Sequence, residues 1–366
     1  MKELVLNETP IRTSRNFRIN NIKLENINIS DVPKEFNNVI IKNDSSKIGI
    51  LNKVSDFKLK YGLNEILENQ VILKANQKYK ILIDSKTQKN VEIDFNFDNI
   101  NTELIDNIEI EALEGAKANI IIKYDNSLNL NCLKPSESNQ DENFYHNGII
   151  RVLAKKDSNI NIAVVDFINT KSDNFLSIEN DLEENAKLKY TIIDFGGKNS
   201  ITNYFSNLQG KLSNNILNTI YIGQENQVFD LNYIAELRGE KTNIDIEVQG
   251  ALKDEAKKNF KGTIDFKRGC KKAKGNENEF CMLLSDKAKS IALPMLLCSE
   301  EDVEGNHSTS SGKAGEKELF YIMSRGFEYK EAMKLLVKAN FNKIIENIKD
   351  EDLKLRILQE IDKKLD

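Results

Sequence analysis

Thr242-Asn-Ile-Asp-Ile-Glu-Val-Gln249 decides how this chain reads. A small or polar residue opens it, an aliphatic residue follows two positions on, and alternation then puts one face inward and the other toward water. The same opening occurs at Asn214-Asn-Ile216, Ala186-Lys-Leu188, Ser158-Asn-Ile160 and Ala118-Asn-Ile120. The anchors at 188, 216 and 244 are 28 residues apart. From Ile120 to Ile160 the interval is 40 residues, and it contains Lys134-Pro-Ser-Glu-Ser-Asn-Gln-Asp-Glu-Asn143, which reads as a loop inserted into one repeat. Strands repeating in the twenties, with no helix between them, predict stacked coils: one coil cannot bury its apolar face alone, and stacking supplies the cover. The fold class expected is mainly β, a right-handed β-helix of about 28 residues per repeat with a C-terminal helical segment. An antiparallel sandwich is the other arrangement such strands allow, but no Asn-Gly or Asp-Gly separates adjacent short strands, as tight hairpins would favour.

The period changes near residue 312. Glu316-Lys-Glu-Leu-Phe-Tyr-Ile-Met-Ser-Arg325 reads as a helix ending at Gly326, a C-cap residue. Ala332, Leu335, Leu336 and Ala339, then Ile344, Ile345 and Ile348, and finally Leu358, Ile361 and Leu365 make helical apolar stripes. These stripes are expected to pack on the end of the strand domain, with part of their face left as a partner groove. The domain reading is an N-terminal region at 1–100 of open fold, a β-helix core at 101–312 and a helical subdomain at 313–366.

The chain has 366 residues, a net charge of −5, 30% charged and 40% hydrophobic residues. This composition suits a globular protein and disfavours nucleic-acid binding, which calls for a basic face. No apolar run reaches the roughly 20 residues of a membrane span, and the N-terminus lacks a signal-peptide core, so a cytoplasmic location is expected. The only histidines are His146 and His307, too few for a triad or a histidine-rich metal site. Cys132, Cys270, Cys281 and Cys298 form no CxxC pair and read as small buried residues. His146 sits in the polar insertion and is expected as an exposed loop residue.

The segment 257–327 carries the most specific signal. Phe260-Lys-Gly262-Thr-Ile264, Leu283-Leu-Ser285, Pro294, Asp302-Val303 with His307, and Phe320-Tyr321 followed by Ser324-Arg325-Gly326 occur in an order and spacing that resembles the SufB/SufD family of iron–sulfur cluster assembly scaffolds. Leu6-Asn-Glu-Thr-Pro10 with Thr13 resembles the short N-terminal motif of SufD-like members. Where SufB-type chains carry a cysteine before the proline, Ala288 stands here, which favours a SufD-like member. Many such members have cysteine-serine-histidine-glycine around the histidine; this chain has Gly305-Asn-His-Ser308, so the histidine alone carries over.

The resemblance implies a β-helix, a heterodimer with a SufB-like chain at its C-terminal end (or a homodimer), and a SufC-like ABC-type ATPase docked on the C-terminal helices. It implies a transient iron–sulfur cluster or iron at the subunit interface, with His307 as candidate ligand. Phe320, Tyr321, Arg325, Gly326, Leu335 and Leu336 are the expected partner-binding residues. By residue chemistry, imidazole can ligate iron, and Glu300, Glu301, Asp302 and Glu304 could attract Fe²⁺, with Cys298 the nearby thiol. On residue type alone, His307 is a turn histidine, Cys298 a buried strand residue and the acidic run a solvated turn. No catalytic residue is expected, since the chain lacks a phosphate-cradling Gly-x-x-x-x-Gly-Lys-Ser/Thr loop. Other functions considered are a purely structural subunit of such a complex and a polysaccharide-acting β-helix enzyme using carboxylates such as Asp245 and Glu247.

Overall fold

A strand with one apolar face needs a second layer, and here the chain supplies it by winding back over itself. The computed structural model describes all residues except 1–2, 13–18, 28, 31, 45–46, 51–57, 85 and 127–141. The inserted loop at 134–141, Cys132 and Thr13 lie outside the described residues.

The chain begins with β1 (Leu4–Leu6) and β2 (Ile22–Leu24), paired antiparallel, then β3 (Val39–Asn43), β4 (Lys47–Ile50) and α1 (Glu65–Lys74). Winding follows: β5 (Gln77–Ile83), β6 (Lys89–Asn96), β7 (Glu103–Ala112), β8 (Lys117–Asp125), β9 (Tyr145–Ala154), β10 (Asn159–Phe167), β11 (Asp173–Leu182) and β12 (Lys187–Asp194). It continues through β13 (Asn199–Leu208), β14 (Asn214–Gly223), β15 (Val228–Leu237), β16 (Asn243–Leu252), β17 (Lys257–Phe266), β18 (Ala273–Leu283), β19 (Lys289–Cys298) and β20 (Val303–Gly312). From β5 on, successive strands alternate between two parallel sheets, odd-numbered strands with β4 in one and even-numbered strands with β3 in the other. The result is a β-solenoid of about 8 turns, about 29 residues each. The parallel winding thus begins at Gln77, inside the region the sequence left open up to residue 100; β5 and β6 lie there without a recognisable repeat.

The turns explain why the repeat is not a fixed 28. Asp157, Asn185, Leu212, Lys241 and Lys272 have φ between 53 and 61°. Each precedes a buried small residue: Ser158, Ala186, Ser213, Thr242 or Ala273. A non-glycine residue in this left-handed region costs about 1–2 kcal/mol. Coil-to-coil hydrogen bonds offset it, such as Asn185 N–H to the Lys211 carbonyl at 2.8 Å and Leu212 N–H to the Glu240 carbonyl at 2.9 Å. The register therefore corrects two anchors. Leu188 stacks on Asn215, not Ile216, and Asn215 stacks on Ile244. Ile160 stacks on Ala118, not Ile120. Asn215 is accepted inside because its amide bonds the Tyr204 and Ser206 hydroxyls at 2.8 and 3.0 Å.

Three apolar cores result. The solenoid interior holds aromatic residues such as Phe95, Tyr124, Tyr204, Tyr233 and Phe260, each contributing roughly 1.5–3 kcal/mol by burial. The outer face of the odd-strand sheet is covered by β1, β2 and α1, with Leu6, Leu67 and Val71 packed on Ile105, Phe175 and Ile201. The outer face of the even-strand sheet is covered by helices α2 (Glu316–Met323), α3 (Tyr329–Ile345) and α4 (Glu351–Leu365). Their Phe341, Ile357 and Ile361 pack on Val165, Ile193 and Ile220. The helices therefore lie along the side of the solenoid rather than over its end, because the outward residues of β10, β12 and β14 form an apolar strip there. Arg356 reinforces the docking, bonding Asp125 at 2.6 Å and stacking over the Phe167 ring.

Candidate functional site

Among the described residues nothing covers the last coil. β19 and β20 are the terminal strands of the two sheets, ten residues each, with one edge unpaired. A long free edge is a template for pairing with another chain unless it is blocked. Pro294 in β19 is tolerated because only an edge strand can spare the N–H.

Beneath this end the interior changes character. Glu277, Glu279 and Cys281 of β18 and Lys258 of β17 point inward and are essentially inaccessible. Lys258 Nζ donates to Glu279 Oε1 at 2.7 Å. Cys281 is buried, and burial pushes its thiol pKa up. Neither carboxyl oxygen of Glu277 has a hydrogen-bond partner among the described residues. Burial, then the neighbouring Glu279, pushes its pKa up to about 8.

His307 lies in β20, in register with Glu277 one coil below. It is an exposed residue in the middle of the edge strand, not a turn histidine. Cys298 is exposed, contrary to the buried-strand reading, because no further coil covers β19; its thiol donates to the Glu300 carbonyl at 2.9 Å. It lines a cleft of about 660 Å³ with Phe266, Leu296, Glu300, Glu301, Val303 and Gly305. Glu304 points to the opposite face of β20 from His307 and pairs with Lys274 at 2.9 Å. Glu300 is spent on the turn, accepting from the Gly269 and Glu301 amides at 2.9 and 3.1 Å. The structure thus brings His307 over Glu277 and takes Glu304 away from it. Among the described residues no three histidine, cysteine or acidic side chains converge as a metal cage.

His146 is not in an exposed loop. It is fully buried in β9, with Nε2 2.8 Å from Asp106 Oδ1 and Nδ1 2.6 Å from Asn174 Oδ1. Asn174 donates to Asp166 at 2.5 Å, and Ser200 donates to Asp194 at 2.8 Å. Burial pushes the Asp194 carboxyl up to about 7. The polar insertion ends before Phe144, and the strand resumes at Tyr145 with a polar residue facing in. The signal available in the sequence was the stacking of His146, Asn174 and Ser200 at matching strand positions.

The helices leave a separate surface. Phe320 is 75% exposed, and Tyr321, Met323, Phe327 and Tyr329 are exposed beside it. Arg325 lies over the Tyr321 ring, 5.1 Å from its centroid. Gly326 adopts φ 97°, ending α2 as its sequence position predicts. Leu335 is exposed, whereas Leu336 turns inward onto the core of the helices. Asp245 and Glu247 share an outward face of β16, but α3 packs beside it and brings Lys343 near Asp245, so no open carboxylate groove forms.

The N-terminal motif has a structural use that its sequence did not disclose. Asn7, at φ 60°, is fully buried and donates to the Thr202 carbonyl and to Asp230 Oδ1 at 3.1 and 2.7 Å. Buried Lys261 donates to the Asn7 carbonyl at 2.8 Å and to Asp230 at 2.5 Å. The segment is thereby tied across β13, β15 and β17.

Residues 95–340 match the family described as SUF system FeS cluster assembly, SufBD core domain. The chain is 26% identical over 180 residues to the iron–sulfur cluster assembly protein SufD of Bacillus subtilis, covering 49% of this chain and 41% of that protein. It is 32% identical over 167 residues to an iron–sulfur cluster assembly SufBD family protein of Pyrococcus horikoshii, covering 45% and 36%. To SufD of Escherichia coli it is 24% identical over 163 residues, covering 44% and 38%. The chain spans about two fifths of the length of these curated relatives.

Proposed function

Since this chain belongs to the SufBD core family of the iron–sulfur cluster assembly system, as a SufD-like member, we propose that it is a non-catalytic scaffold subunit on which clusters are assembled. A SufB-like chain pairs with its open end, and a SufC-like ATPase docks on its helices. The observation that carries this reading is the pair of uncapped edge strands above a charged interior, with the exposed apolar surface of α2 and α3 lying elsewhere. Two separate surfaces suit two separate partners. Iron and sulfur are cargo here, and His307 supplies an imidazole at the subunit interface.

Affinity capture of the full chain under anaerobic, reducing conditions tests the reading. It should bring down a SufC-like ATPase and a SufB-like chain; recovery of neither contradicts it. Phe320→Ala with Tyr321→Ala should lose the ATPase and keep the scaffold partner. A second reading, a subunit that holds the complex together without touching the cluster, is favoured by the lack of a three-donor group among the described residues. His307→Ala separates the two: reduced cluster formation in an intact complex supports the ligand role, and unchanged formation supports the structural one. Sedimentation of the chain alone reports whether a second copy can take the partner's place.

A further inference from the structure

We propose that Glu277 is a second cation-binding residue at the open end, holding a first-row divalent metal such as Fe²⁺ together with His307. The inference rests on the scaffold reading above and adds a ligand to it. Paired positions on neighbouring parallel strands lie about 4.8 Å apart and place their side chains on the same face. His307 and Glu277 are such a pair. Beneath Glu277 in the same column sits Ile246, which is buried in the interior core and offers no polar group. Across the interior stands Gly262, where a Cβ would lie 2.1 Å from Glu277 Oε2. The glycine therefore gives the carboxyl its room, and Pro294 overlies that glycine. Glu277 is fully buried in this layer, and His307 is the residue in register above it.

Among the described residues both its oxygens lack a hydrogen-bond donor, His307 included, so the two groups are not already closed as an ion pair. A buried carboxyl without a partner is unfavourable, and a leucine would fill this layer with no such penalty. Its neighbour Glu279 is occupied by Lys258 on one oxygen. An imidazole and a carboxylate are a donor set suited to borderline divalent ions. Two protein donors leave the remaining positions to water or to a partner, which fits an ion that is handed on rather than kept.

The test is titration of the full chain with Co²⁺, followed by its visible absorbance, with Fe²⁺ as anaerobic competitor. The parent chain should show one saturable site. His307→Ala and Glu277→Gln should each weaken it by at least ~10-fold, since even residues that only orient a ligand contribute that much. Gly262→Ala, which pushes the carboxyl aside without removing it, should weaken it as well and gives the readout if Glu277→Gln does not fold. If His307→Ala loses the ion while Glu277→Gln and Gly262→Ala bind as the parent does, the Glu277 proposal is overturned and His307 stands alone. If the parent chain binds no Co²⁺, both are overturned.

Discussion

The two ends of the solenoid are built on opposite principles. At the N-terminal end, β3 and β4 pair antiparallel with β6 and β5 as the last strand of each sheet, and the interior is a nest of Phe36, Phe95, Phe97 and Tyr124. At the C-terminal end none of the described residues covers β19 and β20, and the interior layer beneath them carries Lys258, Glu277, Glu279 and Cys281. An end that only needs stability has an apolar interior. An end that keeps free edges over buried charge gives up stability for contact with something else. The helices, which could have capped it, lie along the side instead.

The sharpest way to break this comparison is to injure each end and ask what rescues it. Phe95→Ala at the apolar end leaves a cavity and should cost about 3–5 kcal/mol in urea unfolding, with no neighbouring substitution restoring it. Lys258→Met at the open end should cost a similar amount, about 3–5 kcal/mol, because it strands the buried Glu279 carboxylate. Adding Glu279→Leu should recover most of that loss; failure to recover it would mean the charged layer is ordinary core.

Between the ends, the pH dependence should follow Asp194. Its pKa rises from 3.8 to about 7 on folding through burial. The folded state therefore holds the proton more tightly, so this contribution is full below pH 3.8 and is lost as pH climbs through about 7. Asp194→Asn should flatten that decline in unfolding free energy measured across the same range. The smallest effect belongs to the exposed residue: His307→Ala should change stability by less than about 0.5 kcal/mol, since it removes no buried contact. A larger fall in melting temperature would make His307 part of the scaffold's packing.

The fold was legible because its physics is periodic. Alternation marked the strands, and Leu188 and Ile244 lie in the interior as read. The interval failed where the backbone bends: Leu212 and Ser213 set a turn one residue earlier than the Asn214-Asn-Ile216 opening suggested. The helical stripes were legible, but not which surface they would cover, because that depends on outward residues scattered across β10, β12 and β14. Of the site, His307 was visible through its motif. Glu277 was not, since Asn276-Glu-Asn-Glu279 reads as a solvated polar run until the register turns alternate residues inward. His146 was hidden by a neighbouring loop, and Cys298 by the assumption that a strand cysteine is covered.

Hydrogen exchange on β19 and β20, in the chain alone and in its assembled complex, tests the central claim most directly. The free edges should exchange quickly in the isolated chain and become protected across Lys289–Cys298 and Val303–Gly312 when a SufB-like partner is bound. Edge amides that exchange equally fast in the complex, with protection confined to the helices, would contradict the claim that the open end is the assembly surface.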